Sequence, residues 1–231
     1  MTQIVPVTLA GSLVTLEPLA PSHHDELVAA VRDGEVWKLW YTAVPSPEQM
    51  GAEIDRRLAL QEAGSMLPFV TRRNADSVVL GMTTFMDIDP VLPRVEIGST
   101  WNRASVRGTG TNVDSKLLLL THAFEVLGCP AVEFRTHWMN MASRAAIERL
   151  GAKLDGVLRA HRRTADGSLR DTCVYSIIAP EWPQVRAGLE HRLARHLGNQ
   201  VQRRTEPPGP AAGTGSATPA AGGQPSNGAR V

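Results

Sequence analysis

Hydrophobic and polar residues follow two different periods along the chain. Strict alternation predicts β-strands, because successive side chains point to opposite faces, whereas recurrence every three or four positions predicts helices. Alternating or compact apolar segments predict strands over residues 13–19, 67–72, 78–86, 94–101, 131–136, 153–162 and 169–178. The helical period predicts helices over residues 23–32, 47–63, 113–127, 141–150 and 181–197. Helices interleave with strands in the middle while hairpins occur elsewhere, so we predict an α/β fold with a mixed sheet.

The composition changes after His196. Residues 199–231 carry almost no large apolar side chain and are dominated by Ala, Gly, Pro, Ser and Thr. Such a segment cannot bury enough surface to offset the entropy lost on ordering. We therefore predict one folded domain over residues 1–198 and a disordered C-terminal tail over residues 199–231.

Composition and charge exclude several classes of protein. The chain has 231 residues, 42% of them hydrophobic, and 24 Lys+Arg against 23 Asp+Glu, which is typical of a globular protein. No apolar run approaches the roughly 20 residues needed to cross a bilayer, and the first twenty residues lack the basic start of a secretion signal. We therefore expect a cytoplasmic protein with no membrane partner. A net charge of +1 gives no overall attraction for nucleic acid.

Two cysteines cannot form a disulfide framework, and the histidine pairs His23-His24 and His191/His196 lack the carboxylate or cysteine partners of a metal site. The two cysteines, Cys129 and Cys173, lack the spacing of a zinc or redox motif. We expect both thiols to be reduced, and we expect no bound metal.

The segment most informative about chemistry is the loop before the apolar helix predicted over 113–127. Gly108 and Gly110 permit backbone conformations in which successive N–H groups converge at the positive end of the helix dipole. This arrangement would bind a phosphate. The loop lacks the Lys-Ser/Thr ending of a nucleoside triphosphate site and the GxGxxG of a dinucleotide site. A plain left-handed turn, or a nucleotide-binding protein using the same loop, remains an alternative on these residues alone.

Three ordered motifs make the sequence similar to a known family. Arg107-Gly108-Thr109-Gly110 fits the pyrophosphate loop of the GNAT superfamily of N-acetyltransferases, with Asn112 where that motif has Gly or Ala. The run from Asn140 to Gly151 resembles the Asn-containing helix after the fifth strand of that family. The opening segment 9–19, the Glu96-Ile97-Gly98 strand and the hairpin over 159–171 look most like the RimJ/RimL branch, the ribosomal-protein N-terminal acetyltransferases.

This resemblance implies a fold and a donor. The fold would be a mixed, mostly antiparallel central sheet with flanking helices and two splayed parallel strands, here 94–101 and 131–136. The donor would be acetyl-CoA, with its pantetheine between those strands and its pyrophosphate on the amides of about 107–113. The resemblance assigns cofactor binding to Ser99, Thr100, Arg107, Gly108, Thr109, Gly110, Thr111, Asn112 and Asn140.

Direct acetyl transfer needs a neutral amine, a polarised thioester carbonyl and a proton for the leaving thiolate. A main-chain N–H near Ser99 or Thr100 could polarise the carbonyl. Glu96 is our candidate base, with an ion pair to Arg94 or Arg135 as the alternative. His137 is a second candidate base, unless it only lines the wall.

The proton donor is less well defined. Many members of the superfamily have a Tyr seven residues after the Asn, but this chain has Ile147 there. The RimJ/RimL resemblance assigns the role to Ser143, which could instead simply cap the helix that begins near it.

The aromatic residues Trp37, Trp40 and Tyr41 follow the first helix, where the family builds its acceptor pocket. They would contact the acceptor or belong to the core. We expect an N-acetyltransferase acting on a primary amine, either a protein N-terminus or a small molecule, with a catalytically weak acyl-CoA-binding regulatory module as the alternative. A homodimer is possible.

Overall fold

The computed structural model describes residues 5–89, 91–164 and 166–205. The strands are β1 Leu9–Ala10, β2 Val14–Pro18, β3 Met66–Arg73, β4 Val79–Met86, β5 Val95–Asn102, β6 Ala131–His137, β7 Lys153–Arg163 and β8 Leu169–Ile178. The helices are α1 His24–Arg32, α2 Met50–Glu62, α3 Thr111–Thr121, α4 Met141–Glu148 and α5 Trp182–Thr205. These elements confirm the predicted α/β class and every predicted strand and helix. The strand β1 was not predicted, because two residues are too few to show alternation.

The strands form one eight-stranded sheet in the order β1-β2-β3-β4-β5-β6-β8-β7. All neighbours are antiparallel except β5 and β6, which are parallel. The sheet is therefore mixed and mostly antiparallel, as the family resemblance implied.

The two parallel strands pair over a short distance only. Their register contains Val95 opposite Val132 and Glu96 opposite Glu133, although β5 continues to Asn102 and β6 to His137. Since β5 is held on its other edge by β4 and β6 by β8, the two strands separate beyond these pairs. The result is a wedge-shaped gap, bordered by main-chain groups that have no partner strand. The predicted splay is confirmed.

The core lies in two main layers on opposite faces of the sheet. One cluster joins β5 and β6 to α3, α4 and α5, and its members include Val95, Ile97, Leu119 and Phe134. The other joins the sheet to α1 and α2, and it includes Leu27, Ile54 and Trp101. Burial of this apolar surface is the main force holding the helices on the sheet.

The start of α3 is fixed to the N-terminal strands by one buried carboxylate. Asp114 accepts hydrogen bonds from the main-chain N–H of Leu13 (2.6 Å) and of Val14 (3.0 Å). A Cβ atom on Gly11 would lie 2.6 Å from the Asp114 carboxylate, so only glycine fits at that turn. These contacts set the position of the loop that precedes α3.

The last helix extends beyond the domain boundary predicted at residue 198. It continues to Thr205, and it packs Trp182, Leu189 and Leu193 into the core. Residues 206–231 lie outside the described residues, so the disordered tail stays a prediction. Within the described ranges, no helix combines the length and apolar character that a bilayer span requires.

Candidate active site

The loop between β5 and α3 has the backbone geometry of an anion site. Gly108 and Gly110 both have positive φ, +75° and +91°, and Gly110 is the N-cap of α3. The N–H groups of Arg107 and Thr109 donate within the loop, to the carbonyls of Ala104 (3.1 Å) and Val106 (3.3 Å).

Other amides of this loop are available to a ligand. Among the described residues, no hydrogen bond is made by the main-chain N–H of Gly108, Gly110, Thr111 or Asn112. The first amides of a helix have no intrahelical partner and lie at the positive end of its dipole. These four donors therefore fit a diphosphate. Arg107 can add its charge, whereas the N–H and the hydroxyl of Thr109 both donate to the carbonyl of Val106, at 3.3 Å and 2.7 Å.

The two glycines have different surroundings. A Cβ on Gly110 would lie 2.8 Å from Cβ and Cγ of His196, so α5 closes against the beginning of α3 at this point. A Cβ on Gly108 would meet no atom within 4 Å. The open side of the loop is therefore at Gly108, next to the exposed Arg107.

The wedge between β5 and β6 is bordered by an irregularity in β5. The register between β4 and β5 shifts between Met82 and Thr84, so that Ser99 and Thr100 form a bulge. Ser99 has φ +48°, in the left-handed region that non-glycine residues seldom adopt. Such bulges turn main-chain groups away from the regular ladder, which is the property expected of an oxyanion donor at this position.

Glu96 faces the side of the sheet opposite α3. Its neighbours Val95 and Ile97 pack in the cluster that contains α3, and alternation turns Glu96 the other way. The side chain is only 6% exposed, and its burial raises the pKa of the Glu96 carboxyl to about 7. Arg135 opposes that rise in pKa, while Asp87 and Glu133 add to it.

The predicted ion pair between Glu96 and Arg135 is present, but its two atoms are too far apart for a hydrogen bond. Nε of Arg135 lies 3.7 Å from Oε2 of Glu96, beyond hydrogen-bond distance. The same guanidinium binds Glu133 at 2.8 Å and Asp87 at 3.0 Å. Arg94, the other suggested partner, pairs with Glu133 instead. Because Arg135 is shared among three carboxylates, Glu96 retains a pKa suited to a general base.

Aromatic side chains gather around His137 at the end of β6. The ring centroids of Trp40 and Tyr41 lie 5.2 Å and 6.5 Å from that of His137. Burial lowers the pKa of His137, and Arg170 adds to the effect. Nδ1 of His137 accepts a hydrogen bond from the main-chain N–H of Met139 (3.0 Å). Trp37 packs elsewhere, against the core cluster that joins the sheet to α1 and α2. The structure thus brings together two of the three predicted acceptor aromatics.

Sequence analysis missed the polar residues next to His137 on β8. Thr172 is paired in register with His137, and its buried Oγ1 has no hydrogen-bond partner among the described residues. Nε of the half-buried Arg170 is also without a partner there. Unsatisfied buried polar atoms are rare and mark places where water or a ligand binds. Nothing in the sequence pattern distinguishes them from ordinary strand residues.

The helix after β6 begins at Met141, as predicted, and its cap distinguishes the two alternatives for Ser143. Asn140 is the N-cap of α4, and its Oδ1 accepts a hydrogen bond from the N–H of Ser143 (3.0 Å). Ser143 is therefore in the first turn and is not the cap, so that alternative for Ser143 is wrong. Ile147, at the position where many members of the superfamily that the sequence resembles carry Tyr, is buried in the core.

Two buried cations next to the bulge were also missed. Lys116 on α3 is 5% exposed and Arg57 on α2 is 2% exposed. Both belong by spacing to the apolar face of their helix, as Lys116 lies three residues after Val113 and Arg57 three after Ile54. A charged residue at a core-facing position is the signal that could have revealed them.

The described residues contain no group of three or more His, Cys, Asp or Glu that could hold a metal ion. Cys129 and Cys173 are both buried free thiols. The groups gathered here are the main-chain donors of the loop before α3, the buried carboxylate of Glu96, and an aromatic wall formed by Trp40 and Tyr41 around His137.

Comparison with known proteins gives the family. The sequence matches the family model of the acetyltransferase (GNAT) domain over residues 14–153. A solved structure from T. thermophilus, named as an acetyltransferase, is 34% identical, covers 83% of this chain and 100% of its own, and superposes with a TM-score of 0.73. The chain therefore belongs to the GNAT family of acetyltransferases, whose acyl donor is acetyl-CoA.

Structures of the RimJ/RimL group share the fold at lower identity. Mycobacterium smegmatis RimJ in complex with CoA-disulfide is 22% identical, covers 81% of this chain and 95% of its own, and gives a TM-score of 0.68. RimL, a ribosomal L7/L12 alpha-N-protein acetyltransferase, is 20% identical over 77% of this chain and 97% of its own, with a TM-score of 0.65. Among curated proteins, none matches the sequence significantly.

Proposed function

We propose that this acetyltransferase moves the acetyl group of acetyl-CoA directly to an amine of low pKa, with the α-amino group of a polypeptide as the preferred class. The observation that carries the proposal is the position of Glu96, a buried carboxylate of pKa about 7 at the narrow end of the wedge between β5 and β6. The available amides of the loop before α3 support binding of the diphosphate, and the wedge supports binding of the pantetheine.

The main-chain groups along the open edges of β5 and β6 would pair with the amides of the pantetheine, as an added strand does. This places the thioester near the bulge at Ser99 and Thr100. A main-chain N–H of the bulge would donate to the carbonyl oxygen and stabilise the negative charge that develops there. Asn140, as the N-cap of α4, holds the turn next to this gap.

In the transfer, the amine nitrogen bonds to the carbonyl carbon and the carbon–sulfur bond breaks. Glu96 accepts the proton that the amine loses, directly or through a water molecule. His137 faces the aromatic wall and is the second candidate for this role. Ser143, in the first turn of α4, would relay a proton to the departing thiolate.

The pKa of the amine itself decides how easily it reaches the neutral form that attacks the thioester, and the difference between two amines is the same for any base. An α-ammonium group has an ordinary pKa of about 7.7–8.0, whereas that of a lysine side chain is about 10.4. Proton transfer to a carboxylate of pKa about 7 is therefore roughly 3 kcal/mol more costly from lysine than from an α-amino group. Small-molecule amines of similarly low pKa would meet the same requirement. The fold shared with RimL agrees with an α-amino acceptor.

The aromatic wall supports an acceptor larger than ammonia. Trp40, 58% exposed, and Tyr41 line the approach to His137 and offer apolar contact area.

Turnover with three acceptors tests the proposal. The first is a lysine-free peptide with a free N-terminal serine, the second is an N-terminally blocked peptide containing one lysine, and the third is spermidine. The released CoA thiol and the product mass are measured. We expect acetylation of the free peptide at its N-terminus and little reaction with the blocked one. Preference for lysine would contradict the α-amino assignment, and tight acetyl-CoA binding without turnover of any amine would favour a regulatory module.

A further inference from the structure

The bulge at Ser99 and Thr100 is contacted by a buried cation on each face of the sheet. From the α2 side, Arg57 donates to Oγ1 of Thr84 (2.6 Å) and to the carbonyl of Ser99 (3.4 Å). From the α3 side, Lys116 Nζ donates to the hydroxyl oxygens of Thr83 (2.9 Å) and Thr100 (2.8 Å). The adjacent residues Thr83 and Thr84 thus serve as the two contact points on β4.

The two cations differ in how their charge is balanced. Arg57 donates to the Glu53 carboxylate at 2.7 Å and so forms an ion pair. Lys116 has no carboxylate within ion-pair distance among the described residues, and its hydrogen-bond partners are two neutral hydroxyls. Burial alone lowers the pKa of Lys116 to about 7. An unpaired buried ammonium destabilises a folded protein.

The hydroxyl groups connect Lys116 to the main chain of the bulge. Oγ1 of Thr83 and Oγ1 of Thr100 lie 2.8 Å apart, so that Nζ and the two hydroxyls form a closed triangle. The hydroxyl of Thr100 also lies 3.3 Å from the carbonyl of Gly98, on the other side of Ser99. This network spans the residue with positive φ and restrains the peptide groups on both sides of it.

We propose that Lys116 is a positioning residue for acetyl transfer, which holds the β5 bulge from the α3 side so that its main-chain N–H is directed at the thioester carbonyl. This inference rests on the proposed function of the bulge as the oxyanion donor. A buried amine without a carboxylate partner and a residue with positive φ both cost stability, and such costs are concentrated at functional sites. Arg57 restrains the same peptide from the other side of the sheet.

The substitution Lys116→Met tests the proposal, because it keeps most of the volume of the side chain and removes the donors. We expect kcat for the N-terminal serine peptide to fall about 10- to 100-fold, by analogy with loss of a transition-state donor. The Kd for acetyl-CoA should stay within about twofold, since the amides of the loop before α3 are untouched. The melting temperature should change little, since the loss of two hydrogen bonds offsets the removal of a buried amine that has no carboxylate partner.

Hydrogen exchange gives a second measurement that needs no acceptor. Amides of residues 99–101 should exchange faster in Lys116→Met than in the unmodified protein, while amides of α4 are unchanged. Thr83→Val should give a smaller loss of kcat, and its effect should not add to that of Lys116→Met if both act through one network. Ser115→Ala, a change at the neighbouring buried residue of α3, is the matched control and should keep full activity.

These measurements distinguish failure of the positioning role of Lys116 from failure of the proposed function. Unchanged kcat and unchanged exchange in Lys116→Met would overturn the positioning role while leaving the proposed function intact. A lowered melting temperature with weakened acetyl-CoA binding would overturn it too, because that pattern belongs to a purely structural residue. If the unmodified protein turned over no amine, the proposed function itself would fail, and faster exchange at 99–101 would then show a structural restraint only.

Discussion

Oε2 of Glu96 and Nε of Arg135 are 3.7 Å apart, close enough for electrostatic attraction but too far for a hydrogen bond. The guanidinium is turned toward Glu133 and Asp87, to which it binds more closely. Glu96 is thus a buried carboxylate with an incomplete partner. This relationship explains how a carboxyl group next to an arginine can keep a pKa of about 7.

The activity should depend on the ionisation of Glu96. A general base works in its deprotonated form, so kcat should rise with pH through about 7 and level off above it. In Glu96→Gln this limb should be lost, and kcat above pH 8 should be lower by about 100-fold. The measurement is the pH–rate profile of both proteins with the N-terminal serine peptide.

Glu133→Gln is the matched control for that experiment. Glu133 raises the pKa of Glu96 by repulsion, so its neutralisation should move the acidic limb of the profile to lower pH without removing it. A Glu96→Gln protein that keeps full kcat above pH 8 would exclude Glu96 as the base and leave His137 as the candidate, whereas a remaining acidic limb near pH about 7.7–8.0 belongs to the α-amino group of the acceptor.

Binding of acetyl-CoA should depend on the open side of the loop at Gly108. Gly108→Val would place a branched side chain where the diphosphate is expected and would also strain a residue with positive φ. We expect at least a tenfold weaker Kd for acetyl-CoA, measured by calorimetry.

Gly128→Val controls for the backbone strain. Gly128 also has positive φ, +66°, and a Cβ there would likewise meet no atom within 4 Å. Gly128 lies beyond the C-terminal end of α3, far from the loop that precedes this helix. Gly128→Val should therefore lose as much stability as Gly108→Val and keep its affinity for acetyl-CoA. Equal affinities in the two variants would argue against a diphosphate at Gly108. Gly110→Val is a poorer choice, because its side chain would collide with His196.

The aromatic wall should affect binding of the acceptor amine and leave binding of acetyl-CoA unchanged. Trp40→Ala removes an exposed ring that contacts His137 at its edge. We expect KM for the N-terminal serine peptide to rise several-fold, with the Kd for acetyl-CoA unchanged. An unchanged KM would remove Trp40 from the acceptor site.

Much of this architecture could be predicted from local patterns, and the exceptions have identifiable causes. A carboxylate on a predicted central strand was enough to make Glu96 a candidate, but alternation alone did not fix which face of β5 lies toward the cleft. The cap at Asn140 was missed because both Asn and Ser are good N-caps, and sequence does not fix which of them begins the helix.

The roles of Lys116 and Arg57 depend on contacts between distant elements. Both were included in predicted helices, but their partners Thr83 and Thr84 lie on β4, and the contacts require the bulge that shifts β4 against β5. Register shifts of this kind leave no periodic signal in the sequence.

The C-terminal segment should be dispensable. Since α5 continues to Thr205, the sharper truncation removes residues 206–231, which are rich in Ala, Gly and Pro. We expect unchanged kcat, unchanged Kd for acetyl-CoA and an unchanged melting temperature. A loss of activity on truncation would assign the segment a role beyond that of an appendage.

A crystal structure of the protein with CoA tests the central claim most directly. The account predicts that diphosphate oxygens lie within hydrogen-bond distance, about 2.7–3.2 Å, of the main-chain N–H groups of Gly108, Gly110, Thr111 and Asn112. It also predicts that the pantetheine lies between β5 and β6, with its sulfur next to Ser99 and Thr100. CoA bound elsewhere, with those four amides left without the ligand, would contradict it.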